Sequence, residues 1–330
     1  MSKPAILVIG GAGYIGSHMV LDLIRAGYPV ITLDNLSRGH RDSVAGGDFV
    51  EGDLGNPADL DRVFTRYPVK AVMHFAAWSL VGESVEQPLA YWRNNVANTL
   101  TLLESMQRHG LRHFIFSSTA AVYGEPRQTP ITEDHPCTPT NPYGATKLAV
   151  ERLLADASAA SDLGFSILRY FNAAGADAGG TLGERHQPET HLIPLVLQVA
   201  TGEREAISIF GEDYPTPDGT CLRDYIHVSD LTRAHLLALE ALLGGGGNTT
   251  YNLGNSTGYS VRQVIEAARE ITGHPIPVRV AERRAGDPAI LIADSSRIRR
   301  ELGWTPRYER LDDIIRTAWD WHRKAVRSEK

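Results

Sequence analysis

The sequence predicts an α/β protein: a doubly wound parallel sheet followed by a smaller mixed α/β C-terminal domain. Three observations predict it. Apolar runs and helical periods alternate through the first half. A glycine-rich turn, GGAGYIG, joins the first run to the first helix. The alternation stops after Ala173, where the composition becomes glycine-rich and polar.

AILVIG (5–10) opens the chain as a buried strand, and SHMVLDLIRAG carries a helix over Ser17–Arg25. PVITLD (29–34) and AVMHFAA (71–77) read as the next strands, then a helix over Val96–Arg108. HFIFSS (113–118), a helix over Tyr143–Ala157 and FSILRYFN (165–172) complete the series. These runs are continuously apolar, as strands covered on both faces must be. Residues 174–191, AGADAGGTLGERHQPETH, form a linker or lid. A helix over 192–202, a short strand over 206–210 and a Pro/Gly/Asp loop over 211–222 follow, and GGGG at 244–247 is a flexible turn. Asp224–Leu243 reads as strand then helix, returning to the first domain. The division is therefore 1–173, rejoined by 224–243, and 174–330.

Bulk properties exclude several function classes. With 330 residues, 42% hydrophobic and 22% charged, the chain can bury a large core. A net charge of −6 with dispersed Lys and Arg gives no nucleic-acid footprint. Cys137 and Cys221 lack ligand-like spacing, so neither a disulfide framework nor a metal site is expected. No apolar run approaches a membrane span, and a cytoplasmic location follows by default.

The glycines define a phosphate cradle. Gly11, Gly13 and Gly16 fit G-x-G-x-x-G, and Gly10, Gly13 and Gly16 fit a wider spacing. Missing β-carbons let the backbone approach a pyrophosphate at a helix N-terminus. Asp34 ends the next strand eighteen residues after Gly16, where a carboxylate binds both ribose hydroxyls. It would repel a 2′-phosphate, which favours NAD, although Arg38 keeps an NADP reading open. Asp53 either faces the adenine amino group or caps a helix. The fold expected is thus a Rossmann-type sheet.

TNPYGATK (140–147) supplies the chemistry. Asn141 caps a helix with Pro142 at its first position. Tyr143 and Lys147, four apart, share one face. A phenol titrates near pH 10, and an adjacent ammonium together with an oxidised nicotinamide would lower it. Reaching neutrality asks for about 4 kcal/mol of differential interaction. Tyr143 then serves as general base on a hydroxyl, and Thr119, closing HFIFSST, can bond the same oxygen.

GGAGYIG, HFAA, FSSTAAVYGE, NPYGATK, RYFNAAGA and TCLRDYIHVSDL together resemble the extended short-chain dehydrogenase/reductase family, in particular its UDP-sugar 4-epimerases. The likeness runs from Ile6 to about Trp321, and IFGEDYPTPDGTCLRDYIHV and RRAGDP are its more particular motifs. It implies Tyr143 as catalytic base, Lys147 as its partner on the nicotinamide ribose, and Thr119 as third member. It also implies tightly bound NAD and a homodimer joined by a helical bundle. Further cofactor contacts implied are Tyr14 and Ile15 in the glycine turn, then Asn35, Ser37 and Leu54. Phe75, Ala76, Ala77, Asn95, Ser117, Tyr170 and Phe171 complete that set. A UDP-sugar substrate is implied, its diphosphate clamped by Arg223 and Arg284. Asp287 would accept the uridine ribose, Asn172 bind phosphate, Phe210 flank the uracil, and His191 and Leu192 lie beside the diphosphate. The activity implied is interconversion of UDP-galactose and UDP-glucose by transient oxidation at sugar C4.

Three positions depart from the family pattern. Ser79 stands where a lysine is frequent, His191 where some relatives have asparagine, and Leu291 where some epimerases have tyrosine. The smaller Leu291 predicts tolerance of an N-acetyl group. UDP-N-acetylhexosamines, UDP-pentoses and UDP-uronates differ by a few pocket atoms and stand as alternative substrates, the uronates disfavoured because no additional basic residue is evident for their carboxylate. Dehydratases and decarboxylases of this type place an acid after the strand-end threonine. Here Ala120 and Ala121 follow, and a methyl cannot transfer a proton. A dehydrogenase releasing NADH and a non-catalytic nucleotide-binding protein are the remaining rivals.

Overall fold

In the computed structural model, residues 3–284 and 287–328 are described. Strands β1 (Ala5–Ile9), β2 (Val30–Asp34), β3 (Asp48–Glu51), β4 (Val69–His74), β5 (His113–Thr119) and β6 (Gly164–Tyr170) form one parallel sheet with Thr249–Leu253. Their order is β3-β2-β1-β4-β5-β6, then 249–253 at the far edge. This is the doubly wound arrangement, and its order reverses between β1 and β4, where a crevice opens beyond the strand ends. Apolar clusters cover both faces, one holding Ile6, Val8 and Leu239, the other Leu7, Phe114 and Leu154.

The sheet differs from the sequence reading at its edges. β3, DFVE, has no fully buried residue, and TTYNL at 249–253 buries only its last three, so neither carries an apolar run. β4 stops at His74, and FSILRYFN is two strands rather than one. Past Tyr170 the chain leaves the large sheet, and Asn172–Ala174 pairs with Leu222–His227 in a smaller one. The strand half of 224–243 therefore sits in the small sheet, while the helix Val228–Leu243 packs on the large one through Leu231, Ala238 and Leu242. The helix expected over Val96–Arg108 begins earlier, as a π-helical turn over Trp92–Ala97.

Around the small sheet, helices Leu192–Ala200, Val261–Thr272 and Leu311–Ser328 share a second core that includes Val196, Ile265, Ile314 and Trp319. Residues 175–191 form no regular element. They bond to Tyr14 and Arg25 of the helix Tyr14–Arg25 on one side and to Thr317 of Leu311–Ser328 on the other. No described helix is long and apolar enough to cross a membrane.

Candidate active site

The crevice at the β1/β4 switch point is a cavity lined by Gly10, Gly13, Tyr14, Ile15 and Gly16 from the turn into helix α1 (Tyr14–Arg25). A Cβ on Gly10 would lie 2.5 Å from the Ala76 nitrogen, and one on Gly16 2.1 Å from the Gly10 carbonyl, so the turn closes only with glycine. On Gly13 the same atom meets nothing nearer than 3.4 Å and would instead occupy cavity space. No side chain caps α1. Its first-turn N–H groups are thus directed at the cavity, and the residues present fit a dinucleotide pyrophosphate.

Asp34 is buried, its oxygens accepting from Ala12 N at 2.9 Å and Leu36 N at 2.8 Å. Burial raises its carboxyl, and those two N–H groups oppose the rise. Asn35 bridges to Asp53 at 2.8 Å and receives both the amide and the hydroxyl of Ser37. Asp53 lines the cavity with Leu54 and bonds Gly55 N; the cap of the helix Pro57–Arg66 is Asn56 instead. Arg38 forks onto Glu83 at 2.7 and 2.8 Å and lies over Trp78, so it is not free to receive a 2′-phosphate. Phe75, Ala76, Ala77, Ser79, Tyr170 and Phe171 also line the cavity.

Three residues assigned to the cofactor do not line it. A Cβ on Gly11 would strike Thr32 Cγ2 at 2.7 Å, so this glycine serves close helix–strand packing. Asn95 is buried, holding the Trp78 backbone from both sides and Thr146. Ser117 turns its carbonyl to Lys147 and its hydroxyl to Tyr170.

The Tyr–Lys pair stands on the helix Pro142–Ala159, with Asn141 Oδ1 accepting from Gly144 N at 2.8 Å. A Cβ on Gly144 would meet the Ala121 carbonyl at 2.4 Å. Glycine there lets the helix start press against the turn after β5, which sets Tyr143 beside Thr119. The Thr119 hydroxyl bonds Tyr143 and caps the turn Ala120–Val122. Within the chain itself, burial pushes the Tyr143 phenol well above its usual value, Tyr170 adds to the rise, and Thr119 draws it partway back. Lys147 is not among the groups that lower it in the chain alone. Burial holds Lys147 itself down at about 7, against the upward pull of Glu151, and its Nζ donates 2.8 Å to the Ser117 carbonyl.

A second cavity continues from the first across Asn172, Ala173, Glu184 and His191. Leu192, Phe210, Arg223, Arg284 and Asp287 line it, along with Cys221, which sequence reading passed over. Arg223 pairs with Asp287 at 2.5 Å, not with Asp224 or Asp230, whose carboxylates accept backbone N–H groups. The Arg284 guanidinium covers the Phe210 ring at 3.9 Å. Within the RRAGDP motif, Ala285 and Gly286 lie outside the described residues. Leu291 lines neither cavity; it packs against the cluster holding Ala120, Leu148 and Phe171.

Sequence reading also missed Glu184, His186 and Glu189, which gather with His191 where the cavities meet. Their spacing, E-x-H-x-x-E-x-H, was visible inside the segment read as a lid.

A dinucleotide cradle, a Thr–Tyr–Lys set and an adjoining arginine-lined cavity define an enzyme acting by internal redox chemistry on an anionic substrate. The model of the NAD dependent epimerase/dehydratase family matches residues 6–254, and the chain belongs to that family. It is 54% identical to the UDP-glucose 4-epimerase of Halalkalibacterium halodurans, over 97% of this chain and 96% of that one. The crystal structure of UDP-glucose 4-epimerase from Brucella ovis in complex with NAD is 49% identical, with a TM-score of 0.94 over 96% of this chain and 98% of that one. The Bifidobacterium longum enzyme in complex with NAD+ and UDP is 40% identical, at 0.92, over 98% and 99%.

Proposed function

We infer that this chain is an NAD-dependent isomerase interconverting UDP-galactose and UDP-glucose at sugar C4. One observation carries the reading: Thr119, Tyr143 and Lys147 line the dinucleotide cavity, which shares Asn172, Ala173, Glu184 and His191 with the arginine-lined one. NAD, when bound, supplies the acceptor for the C4 hydride and returns it. Gly10, Gly13, Gly16, Asp34 and Asp53 would hold it, with Lys147 at the nicotinamide ribose. Tyr143 takes the proton of the 4-hydroxyl and gives it back to that same oxygen after the 4-keto sugar has turned its opposite face to the nicotinamide. Thr119 orients both the phenol and the sugar oxygen. Arg223 and Arg284 grip the diphosphate, while the hexose is held loosely enough to turn over. Asp287 is already committed to Arg223, so it can orient that guanidinium as well as accept the ribose. The alanines after Thr119 leave no second acid for elimination, which favours epimerisation over dehydration.

Purified protein incubated with UDP-galactose, without added cofactor, should yield UDP-glucose. A strict requirement for added NAD would favour a dehydrogenase that exchanges its cofactor. Leu291 lines neither cavity and packs against a cluster whose member Phe171 does line one, so any effect of its size on the hexose is indirect. Turnover of UDP-N-acetylgalactosamine in the same assay tests the tolerance it implies; none is the opposing result.

The second proposal concerns assembly. Val81, Val85, Leu89, Trp92 and Leu100 are exposed large apolar residues on consecutive helical segments over 81–108, Leu89 at 82%. Such a patch fits a second copy of the chain joined by its helices. Leu89→Asp should convert a dimer into a monomer by light scattering; a monomeric wild type or a dimeric variant would refute it. Both cysteines are free, as suits a reducing cytoplasm.

A further inference from the structure

Glu184, His186, Glu189 and His191 place four donor atoms within 4.8 Å of one another, and among the described residues no other such group occurs. His191 Nδ1 lies 2.8 Å from Glu184 and 3.0 Å from Glu189. His186 Nδ1 lies 3.2 Å from Glu184 and 3.6 Å from Glu189. Four zinc ligands at about 2.0–2.2 Å, arranged tetrahedrally, stand roughly 3.4 Å from one another. Glu184 Oε1 serves both rings, whereas Glu189 faces His186 with Oε2 and His191 with Oε1. These histidine–carboxylate separations of 2.8–3.6 Å bracket that length, and the remaining ones stay within 4.8 Å.

Each imidazole nitrogen faces two carboxylates at once, and one N–H cannot point along both lines. His186 Nδ1 is buried and makes no well-directed hydrogen bond. The carboxylates need positive charge, since their side chains are only 7% and 5% exposed. A single divalent cation satisfies all four groups and leaves the set neutral with both rings uncharged. The surroundings hold the donors in place. Glu189 receives the amides of Thr190 and His191, Tyr14 meets the His186 ring edge-on at 6.2 Å, and Arg185 pairs with Asp42.

We propose that Glu184, His186, Glu189 and His191 form a tetrahedral zinc site that clasps residues 174–191 at the junction of the two cavities. It lies outside the Thr119–Tyr143–Lys147 set and so has a structural role, fixing the segment that lines both cavities.

Co2+ is the probe. Chelator-treated holoenzyme titrated with Co2+ should take up one equivalent per chain, develop the intense visible bands of a tetrahedral site, and lose them on addition of Zn2+. His186→Gln and Glu189→Gln should each weaken uptake at least about 100-fold. Retained NAD absorbance and circular dichroism report that these variants are folded. The proposal is overturned by no stoichiometric uptake in the wild type, by the weak bands of six-coordinate Co2+, or by folded variants that bind as before. Any of these results would leave an ion quartet only, with two imidazolium protons neutralising the carboxylates.

Discussion

Tyr143→Phe should lower the interconversion of UDP-galactose and UDP-glucose by about 10²–10⁴-fold, while the protein still purifies with NAD bound. The phenol is one atom within a cavity lined by many residues, so its loss leaves the cradle at Gly10–Gly16 and Asp34 untouched. Its hydroxyl bonds Thr119, whose own oxygen remains satisfied by Ala121 N at 3.1 Å, so no buried group is stranded. The proton acceptor alone is removed. The pH profile gives a second readout. In the chain by itself burial holds the phenol high, so any fall in its pKa must come with the bound nucleotide and sugar. The wild-type rate should therefore rise with pH below the working pKa of the phenol, and the variant's residual rate should lose that dependence. Unchanged turnover in the variant would remove Tyr143 from the role of base.

What the sequence made legible was whatever depends on local spacing. The turn Gly10–Gly16, the cap Asn141 and the Tyr143–Lys147 face are set within one or two helical turns, and each is found where the spacing places it. Edge strands were not legible, because β3 and 249–253 lie at the rims and need no continuous apolar run. Nor were the side-chain partnerships between distant segments. The Arg223–Asp287 pair spans 64 residues and Arg38–Glu83 spans 45, and each removes a guanidinium from its assumed free state. The Tyr143 phenol shows the same limit at short range. Spacing puts an ammonium four residues away, but desolvation, which depends on the whole fold above the site, outweighs it.

Lys147→Met should abolish turnover, by about 10²–10³-fold, and at the same time make the protein more stable near neutral pH. The lysine is 4% exposed, and burial draws its ammonium to about 7 from the usual value near 10.4. Between those values the unfolded chain carries a proton that the folded chain does not. Stability therefore rises with pH through that window, and below pH 7 the full penalty of burying the charge is present. Methionine fills the same channel beside Phe116, which the Nζ now approaches to 4.8 Å, without any charge. Glu151 is not orphaned by the change, because Arg169 grips it at 2.6 Å and Ser118 donates to it at 2.5 Å. The Ser117 carbonyl does lose its donor, at a cost of about 1–3 kcal/mol. The penalty relieved, at about 1.4 kcal/mol for each unit of displacement, is larger. A net gain of roughly 1–2 kcal/mol, a rise of a few degrees in Tm, is expected at pH 7. The difference between variant and wild-type urea midpoints, followed from pH 6 to 10, isolates this group, since other titrations cancel. It should be largest below pH 7 and shrink toward pH 10. A variant less stable than wild type at pH 6 would mean that the ammonium is welcomed where it lies, and that the site holds no charge in reserve for catalysis.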